Sequence, residues 1–157
     1  MSGTSASALA GHQFTRGMPD DHIAALAGAA RHIRVPARHR LFDEGGTADR
    51  FWLIQAGQIA LDMNVPGRGL VVIEALGMGE VVGWSWLYPP FQWRMGAVAT
   101  RPTQAFEIDA RAVRELCAAD PGFGYELTRR FLVVVVHRLQ ATRNRLLDLS
   151  AHSPDWP

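Results

Sequence analysis

Residues 79–98, GEVVGWSWLYPPFQWRMGAV, hold the side chains best suited to bind a ligand. Arg94 could hold an anion through directed, charge-assisted hydrogen bonds, and Ser85 could donate its hydroxyl to a phosphate. Each has a simpler alternative. Arg94 could stack on a neighbouring tryptophan or pair with Glu80, and Ser85 could be only a helix N-cap. Arg94 remains the best single candidate for a ligand contact.

The same stretch is rich in aromatic residues. These rings could wall an apolar pocket, or they could fill the site and make it part of the core. An exposed patch of them would instead indicate a protein-binding face. The aromatic residues are Trp84, Trp86, Tyr88, Phe91 and Trp93.

Catalysis finds little support in the sequence. A β-roll enzyme with a metal would need a close pair of histidines, a following Glu and a third His, whereas the 6 histidines are scattered and form no His-x-His pair. Cys117 is the only cysteine, which excludes an intrachain disulfide and cysteine-cluster metal sites. No Gly-x-Ser-x-Gly elbow accompanies any serine. We therefore expect neither an enzyme nor a metal site.

Length and charge narrow the class further. A chain of 157 residues that is 48% hydrophobic can bury one main core. The 16 basic and 15 acidic residues nearly cancel, so the chain lacks the overall positive charge of a dedicated nucleic-acid binder. The longest apolar run, residues 131–136, is too short to cross a bilayer. We expect a cytoplasmic protein with no membrane partner.

The elements that must position these residues follow from the pattern of the chain. Between Ile33 and Ile108, short runs of β-branched and aromatic residues alternate with glycines, which predicts an antiparallel β-roll of the jelly-roll type. Helices should flank it: one begins at Pro19, and a second is capped by Asp109. The predicted organisation is a flexible leader over 1–18, a roll with its leading helix over 19–120, a long helix over 121–150 and a tail over 151–157.

The long helix carries two interleaved sets of residues with a spacing of seven. The sets alternate at intervals of three and four, which is typical of a dimer seam. The alternative is an amphipathic helix that packs only on its own domain. We expect a homodimer whose interface residues are Leu132, Val135, Leu139, Thr142, Leu146 and Leu149.

The order of these parts resembles the cyclic-nucleotide-binding domain of the catabolite-activator-type regulators. The resemblance covers residues 23–149. It depends on LFDEGGTADRFWLIQAGQIAL, with Gly45 and Gly57 at the family's turn positions, on LGMGEVVG before the phosphate-binding cassette, and on RLQAT in the long helix. It implies a mainly β fold with flanking helices, a long C-terminal dimerisation helix and a non-catalytic regulatory role.

In that family, backbone N–H groups at a short helix bind the cyclic phosphate, an Arg completes the charge neutralisation, and a Glu accepts from the ribose 2′-hydroxyl. The resemblance places Gly83 on the cassette glycine and Arg94 on the phosphate arginine. Trp84, however, stands at the position of the Glu, and Met95 with the following glycine stands where Ser or Thr followed by Ala is usual. Thr142 aligns with a threonine that meets the base across the dimer seam, or serves only in that seam.

The Trp84 departure affects affinity. Tryptophan offers one N–H donor and no acceptor, and a lost charge-assisted hydrogen bond costs on the order of 1.5 to 3 kcal/mol, or roughly ten- to hundredfold in affinity. We therefore expect weak binding of cyclic AMP, or of another small anionic ligand, in a divergent cassette. The alternative is a domain that binds no ligand and acts as a dimeric interaction or scaffold module.

Transcription factors of this family continue into a helix-turn-helix domain, whereas this sequence ends a few residues after Leu149. On this basis we expect no direct DNA binding. A signal would leave through the dimer seam, the roll surface or a separate protein partner.

Overall fold

The computed structural model describes residues 5–151, and eight antiparallel strands form two four-stranded sheets. The strand order is β1-β8-β3-β6 in the first sheet and β2-β7-β4-β5 in the second. The predicted β-roll with flanking helices is therefore confirmed. The strands are β1 Ala30–Val35, β2 Arg40–Phe42, β3 Arg50–Ala56, β4 Ile59–Val65, β5 Gly69–Leu76, β6 Val81–Val82, β7 Gly96–Ala99 and β8 Thr103–Asp109.

The two central strands of the first sheet, β3 and β8, are buried on both faces. Successive strand residues point to opposite faces, and β3 accordingly has Trp52 inside the roll and Phe51 on the outer face. Phe51 contacts the edge of Phe131 at 5.2 Å between ring centroids. This outer face carries the helices, which explains why the β3 run FWLI is continuously apolar.

Four helices flank the roll: α1 Ala6–Ala10, α2 Asp20–Gly28, α3 Ala110–Ala119 and α4 Pro121–Ala151. The predicted capping of α3 is present, because the Asp109 carboxylate accepts from the N–H groups of Arg111 and Ala112 at 3.0 and 3.2 Å. Helix α2 has two acidic residues in its first turn, which favours its positive N-terminal end.

The N-terminal segment differs from the expected flexible leader. Residues 5–18 form α1 and a 3₁₀ turn at Gln13–Thr15, and Leu9, Phe14 and Met18 are buried. Arg130 of α4 donates to the carbonyls of Phe14 and Arg16 at 2.8 and 3.0 Å. The small, polar composition of this segment led us to expect a leader, but its three apolar residues Leu9, Phe14 and Met18 are buried. Residues 1–4 of the predicted leader and residues 152–157 of the predicted tail lie outside the described residues.

Helix α4 presents two apolar faces. Phe123, Leu127 and Phe131 are buried against the roll, whereas most residues of the predicted seam are exposed, from 48% for Leu139 to 71% for Leu149. Val135 is half-buried. A single copy of the chain therefore leaves this second face uncovered, and the homodimer stays a prediction.

Introducing two charges tests that face. The double variant L139K/L146K should be a monomer in light scattering, because two lysines would have to be desolvated in the seam, while the native chain should have twice that mass. Glu115→Lys, at an exposed position of α3, is the control and should leave the mass unchanged. A native chain that is monomeric at micromolar concentration would contradict the seam.

Candidate functional site

The cassette begins with a sharp turn at Gly83. This residue has φ +96°, and a Cβ at this position would lie 2.7 Å from Cη2 of Trp93. Both the conformation and the close ring therefore require glycine. The expected short helix is only a 3₁₀ turn at Ser85–Leu87. It ends at Tyr88, which is extended, as expected of a residue before proline.

Aromatic rings fill the interior of the roll next to this turn. Phe42 stacks on Trp93 with centroids 3.8 Å apart and on Trp52 with centroids 5.4 Å apart. Trp52 and Trp93 are both buried. We refer to Trp52, Phe42 and Trp93 as the aromatic stack.

The other cassette aromatics divide between core and surface. Trp86 is fully buried and stacks on Phe51 at 4.8 Å, so it belongs to the core beneath α4. Tyr88 is exposed, and Trp84 is half-buried. The interpretation of these rings as core therefore holds for Trp86 and Trp93 but not for the whole cluster.

The space left in the cassette is small. A cavity of about 70 Å³ remains, whereas pockets that take small molecules usually measure about 300–1,000 Å³. The cassette cavity is therefore smaller than the usual size of a small-molecule site. The cavity is lined by Phe42, Leu61, Gly83, Trp84, Ser85, Trp93, Arg94, Met95 and Arg138. The structure thus brings together five of the six predicted ligand residues and leaves out Thr142.

Two polar side chains at this cavity have no partner. Within residues 5–151, the exposed Arg94 makes no hydrogen bond or ion pair, because Glu80 instead accepts from the N–H of Gly77 at 2.7 Å. Ser85 is only 6% exposed, and its hydroxyl has no hydrogen-bond partner in that part of the chain. Ser85 also does not act as the N-cap, a position that Trp84 occupies. A free guanidinium and an unpartnered hydroxyl suit a small oxyanion.

Arg138 is a residue of this site that sequence reasoning missed. It is 8% exposed, and its Nη2 donates to the Val81 carbonyl at 2.6 Å. Its Nη1 lies 3.4 Å from Glu74 Oε2, and its guanidinium lies 5.3 Å from the centroid of the Trp84 ring. Burial lowers the pKa of Arg138 from its ordinary value, and the charges of Glu74 and Glu80 oppose this effect.

Arg138 could have been suspected from its spacing. Leu127, Phe131 and Val134 form the stripe of α4 that faces the roll, and Arg138 continues this stripe one turn further. A charged residue at a buried position of an amphipathic helix needs a partner. The sequence does not disclose that the partner is the cassette.

A partly buried ion pair explains the glycine after Met95. Arg40 donates from Nη1 and Nη2 to the two carboxylate oxygens of Asp62 at 3.2 and 2.6 Å. A Cβ on Gly96 would lie 2.5 Å from both Arg40 Nη1 and Asp62 Oδ1. The hydrogen bond with Asp62 raises the pKa of Arg40. Glycine at position 96, where the resemblance implies alanine, therefore makes room for the bidentate pair of Arg40 and Asp62 rather than for a ligand.

Thr142 lies apart from the cassette cavity. Its hydroxyl donates to the Arg138 carbonyl at 2.9 Å, four residues earlier in α4. Thr142 is exposed on the seam side of the helix. Its predicted role as a ligand contact across a dimer stays a prediction, as does the simpler role in the seam.

Neither a metal site nor a membrane span emerges from the structure. Within residues 5–151, no group of three or more His, Cys, Asp and Glu side chains is arranged to hold a metal ion. No helix in this part of the chain combines the length and apolar character needed to cross a membrane.

The fold and its cassette define the class of this protein, and a family model then identifies its family. A domain with this roll, cassette turn and long C-terminal helix is of the cyclic-nucleotide-binding type. The family model of the cyclic nucleotide-binding domain matches residues 32–120, more than half of the chain. The chain therefore belongs to that family, and the resemblance inferred from the sequence is confirmed.

The individual protein that the chain resembles in sequence shares only about a quarter of the aligned residues. The CRP-like cAMP-activated global transcriptional regulator of Mycobacterium tuberculosis is 26% identical over 134 residues, which cover 85% of this chain and 58% of that protein. The chain thus spans less than two thirds of this relative's length.

Solved structures support the fold. A cyclic nucleotide-binding domain from Methylobacillus flagellatus has a TM-score of 0.75 at 22% identity, covering 83% of this chain and 74% of that one. The catabolite activator protein of Thermus thermophilus has a TM-score of 0.68 at 19% identity, covering 88% of this chain and 63% of that one.

The contact between Gly83 and Trp93 predicts a specific loss of stability. Gly83→Ala adds a methyl group against the ring and forces alanine into a left-handed conformation, so it should lower the free energy of unfolding by about 2–4 kcal/mol in urea titrations. Gly67→Ala is the matched control, because Gly67 has φ +81° but open space around it. The control should lose only about 1–2 kcal/mol, the conformational part. Equal losses would contradict close packing of Trp93.

The contacts of Arg138 predict a second difference. Arg138→Gln removes the hydrogen bond to Val81 and leaves Glu74 without its partner, so the free energy of unfolding should fall by about 1–3 kcal/mol. Arg129→Gln, at an exposed position of the same helix, should change it by less than about 0.5 kcal/mol. Equal small effects in chemical denaturation would mean that Arg138 does not link α4 to the roll.

Proposed function

We propose that this protein is a non-catalytic regulatory module of the cyclic-nucleotide-binding family, with a cassette closed to cyclic nucleotides and an output through protein contacts. The observation that carries this proposal is the cavity of about 70 Å³ bounded by Trp84 and Trp93. The module acts in the cytoplasm as a homodimer that pairs through the exposed face of α4, or with a separate protein partner.

The chemistry of Trp84 supports closure. Its indole has no acceptor for a ribose hydroxyl, and its ring contacts the Arg138 guanidinium in a cation–π arrangement. To admit a sugar, the ring would have to leave that contact and expose a charge that is now largely buried. Closure of the cassette therefore depends on the contact between Trp84 and Arg138 as well as on the bulk of the indole ring.

The same contacts connect the cassette to the output helix. Arg138 lies on α4, and its partners Val81 and Glu74 lie on β6 and β5. In this proposal the arginine holds α4 in one position without a ligand. The M. tuberculosis relative is named for activation by cAMP. Here we propose that the mechanical link between roll and helix is kept while the response to cyclic AMP is lost.

A second candidate function is a sensor that binds cyclic AMP weakly or takes a smaller anion. The Arg94 guanidinium and the Ser85 hydroxyl, which lack a partner within residues 5–151 and line one cavity, favour it. A tetrahedral oxyanion needs far less space than a nucleotide, and the two side chains supply donors of the required kind.

Calorimetric titration separates the two candidates. The native chain should give no heat of binding with cyclic AMP or cyclic GMP up to millimolar concentration, because the stacked rings occupy the site. Trp84→Glu should be less stable and equally silent. Native binding of a cyclic nucleotide, lost in Arg94→Ala, would contradict closure and favour the sensor. Tight binding gained by Trp84→Glu would show that the indole only blocks an otherwise intact site.

Inorganic phosphate is the probe for the smaller ligand. If the cassette is a small-anion site, phosphate should bind the native chain, and Arg94→Ala should weaken it by roughly tenfold. Arg68→Ala, in the exposed β4–β5 turn, removes a charge elsewhere and should have no effect. Equal affinity in all three chains would remove Arg94 from the site.

A further inference from the structure

A second cavity lies on the other side of the aromatic stack. It measures about 430 Å³ and is lined by Trp52, whereas the cassette cavity is lined by Trp93. Its size falls in the range of about 300–1,000 Å³ that is usual for small-molecule sites. None of its lining residues belongs to α4, so it stays open whether or not that helix has a partner.

One wall of this cavity contains the buried carboxylate of Glu107, which several donors hold in place. Glu107 is almost fully buried, and its Oε1 accepts from both Nε and Nη2 of Arg31. Its Oε2 accepts from Trp52 Nε1 at 3.0 Å and lies 3.5 Å from Arg50 Nη1. The acceptors of this carboxylate are therefore already engaged, and it cannot neutralise a further cation.

An excess of positive charge remains at the opening. Arg31, Arg34 and Arg50 line the cavity, while the carboxylates near them are Glu107 and, 3.4 Å from Arg50, Asp49. Within residues 5–151, the Arg34 side chain makes no hydrogen bond or ion pair.

The remaining wall is made of apolar side chains and His39. Ile33, Val35, Leu41 and the indole of Trp52 line the cavity beside the guanidinium groups. Guanidinium is planar and weakly hydrated, and it binds carboxylate and phosphate oxygens in preference to neutral groups. We propose that this cavity binds an organic oxyanion, a carboxylate or phosphate attached to an apolar or aromatic body, with Arg34 as the free anion contact.

Phenyl phosphate, inorganic phosphate and phenol are the probes, titrated at constant ionic strength into the ¹⁵N-labelled native chain. Phenyl phosphate should shift the indole Nε1–H signal of Trp52, because this group donates to Glu107 in the cavity wall, and it should bind more tightly than either other probe. Arg34→Gln should weaken it roughly tenfold.

Two charge-matched variants locate the effect. Arg68→Gln and Arg145→Gln remove one positive charge from the β4–β5 turn and from the exposed surface of α4, and both should leave the affinity for phenyl phosphate unchanged. The proposal is overturned if the Trp52 signal does not move in the native chain, if Arg34→Gln binds as tightly as native, or if phenol binds as tightly as phenyl phosphate. Loss of affinity in Arg94→Gln alone would assign the binding to the cassette and also overturn it.

Discussion

The packing of the Trp93 ring over Gly83 is the contact on which the rest of the cassette depends. A Cβ at residue 83 would lie only 2.7 Å from this ring, and Phe42 stacks on the ring with centroids 3.8 Å apart. Protein interiors tolerate few voids, and with the ring in this position the cassette cavity measures only about 70 Å³. The family's turn geometry is retained at Gly83, while the space beside it belongs to the core.

Buried charges hold the roll at three places, each by a different arrangement. Arg40 and Asp62 form a bidentate pair across strands of the second sheet. In the first sheet, the Glu107 carboxylate accepts hydrogen bonds from several side chains, including that of Trp52. Arg138 crosses from α4 to the sheet edge. Buried ion pairs contribute little net stability when replaced as a unit, but removing one partner is costly. Their effect here is to fix positions: the first determines which residue can follow Met95, and the last determines where α4 lies.

The fold could be predicted from the sequence, because strand and helix periodicity are local and the turns are marked by glycine. The site could be predicted only in part. Gly83, Ser85 and Arg94 are close in sequence and were found together, whereas Arg138 contacts Val81 across 57 positions, a pairing that no local pattern encodes. The N-terminal segment was expected to be a flexible leader because its small, polar composition outweighed the few apolar residues that the structure buries. Trp84 was recognised as unusual, but its partner on α4 was not.

Amide hydrogen exchange followed by mass spectrometry tests the closed cassette most directly, with the native chain compared in the absence and presence of millimolar cyclic AMP. Peptides that cover residues 79–98 and 127–142 should exchange at the same rates in both conditions, because the aromatic rings and Arg138 already hold the cassette and α4 together. Slowed exchange in those two regions on addition of cyclic AMP would contradict it and show that the cassette opens to admit the nucleotide.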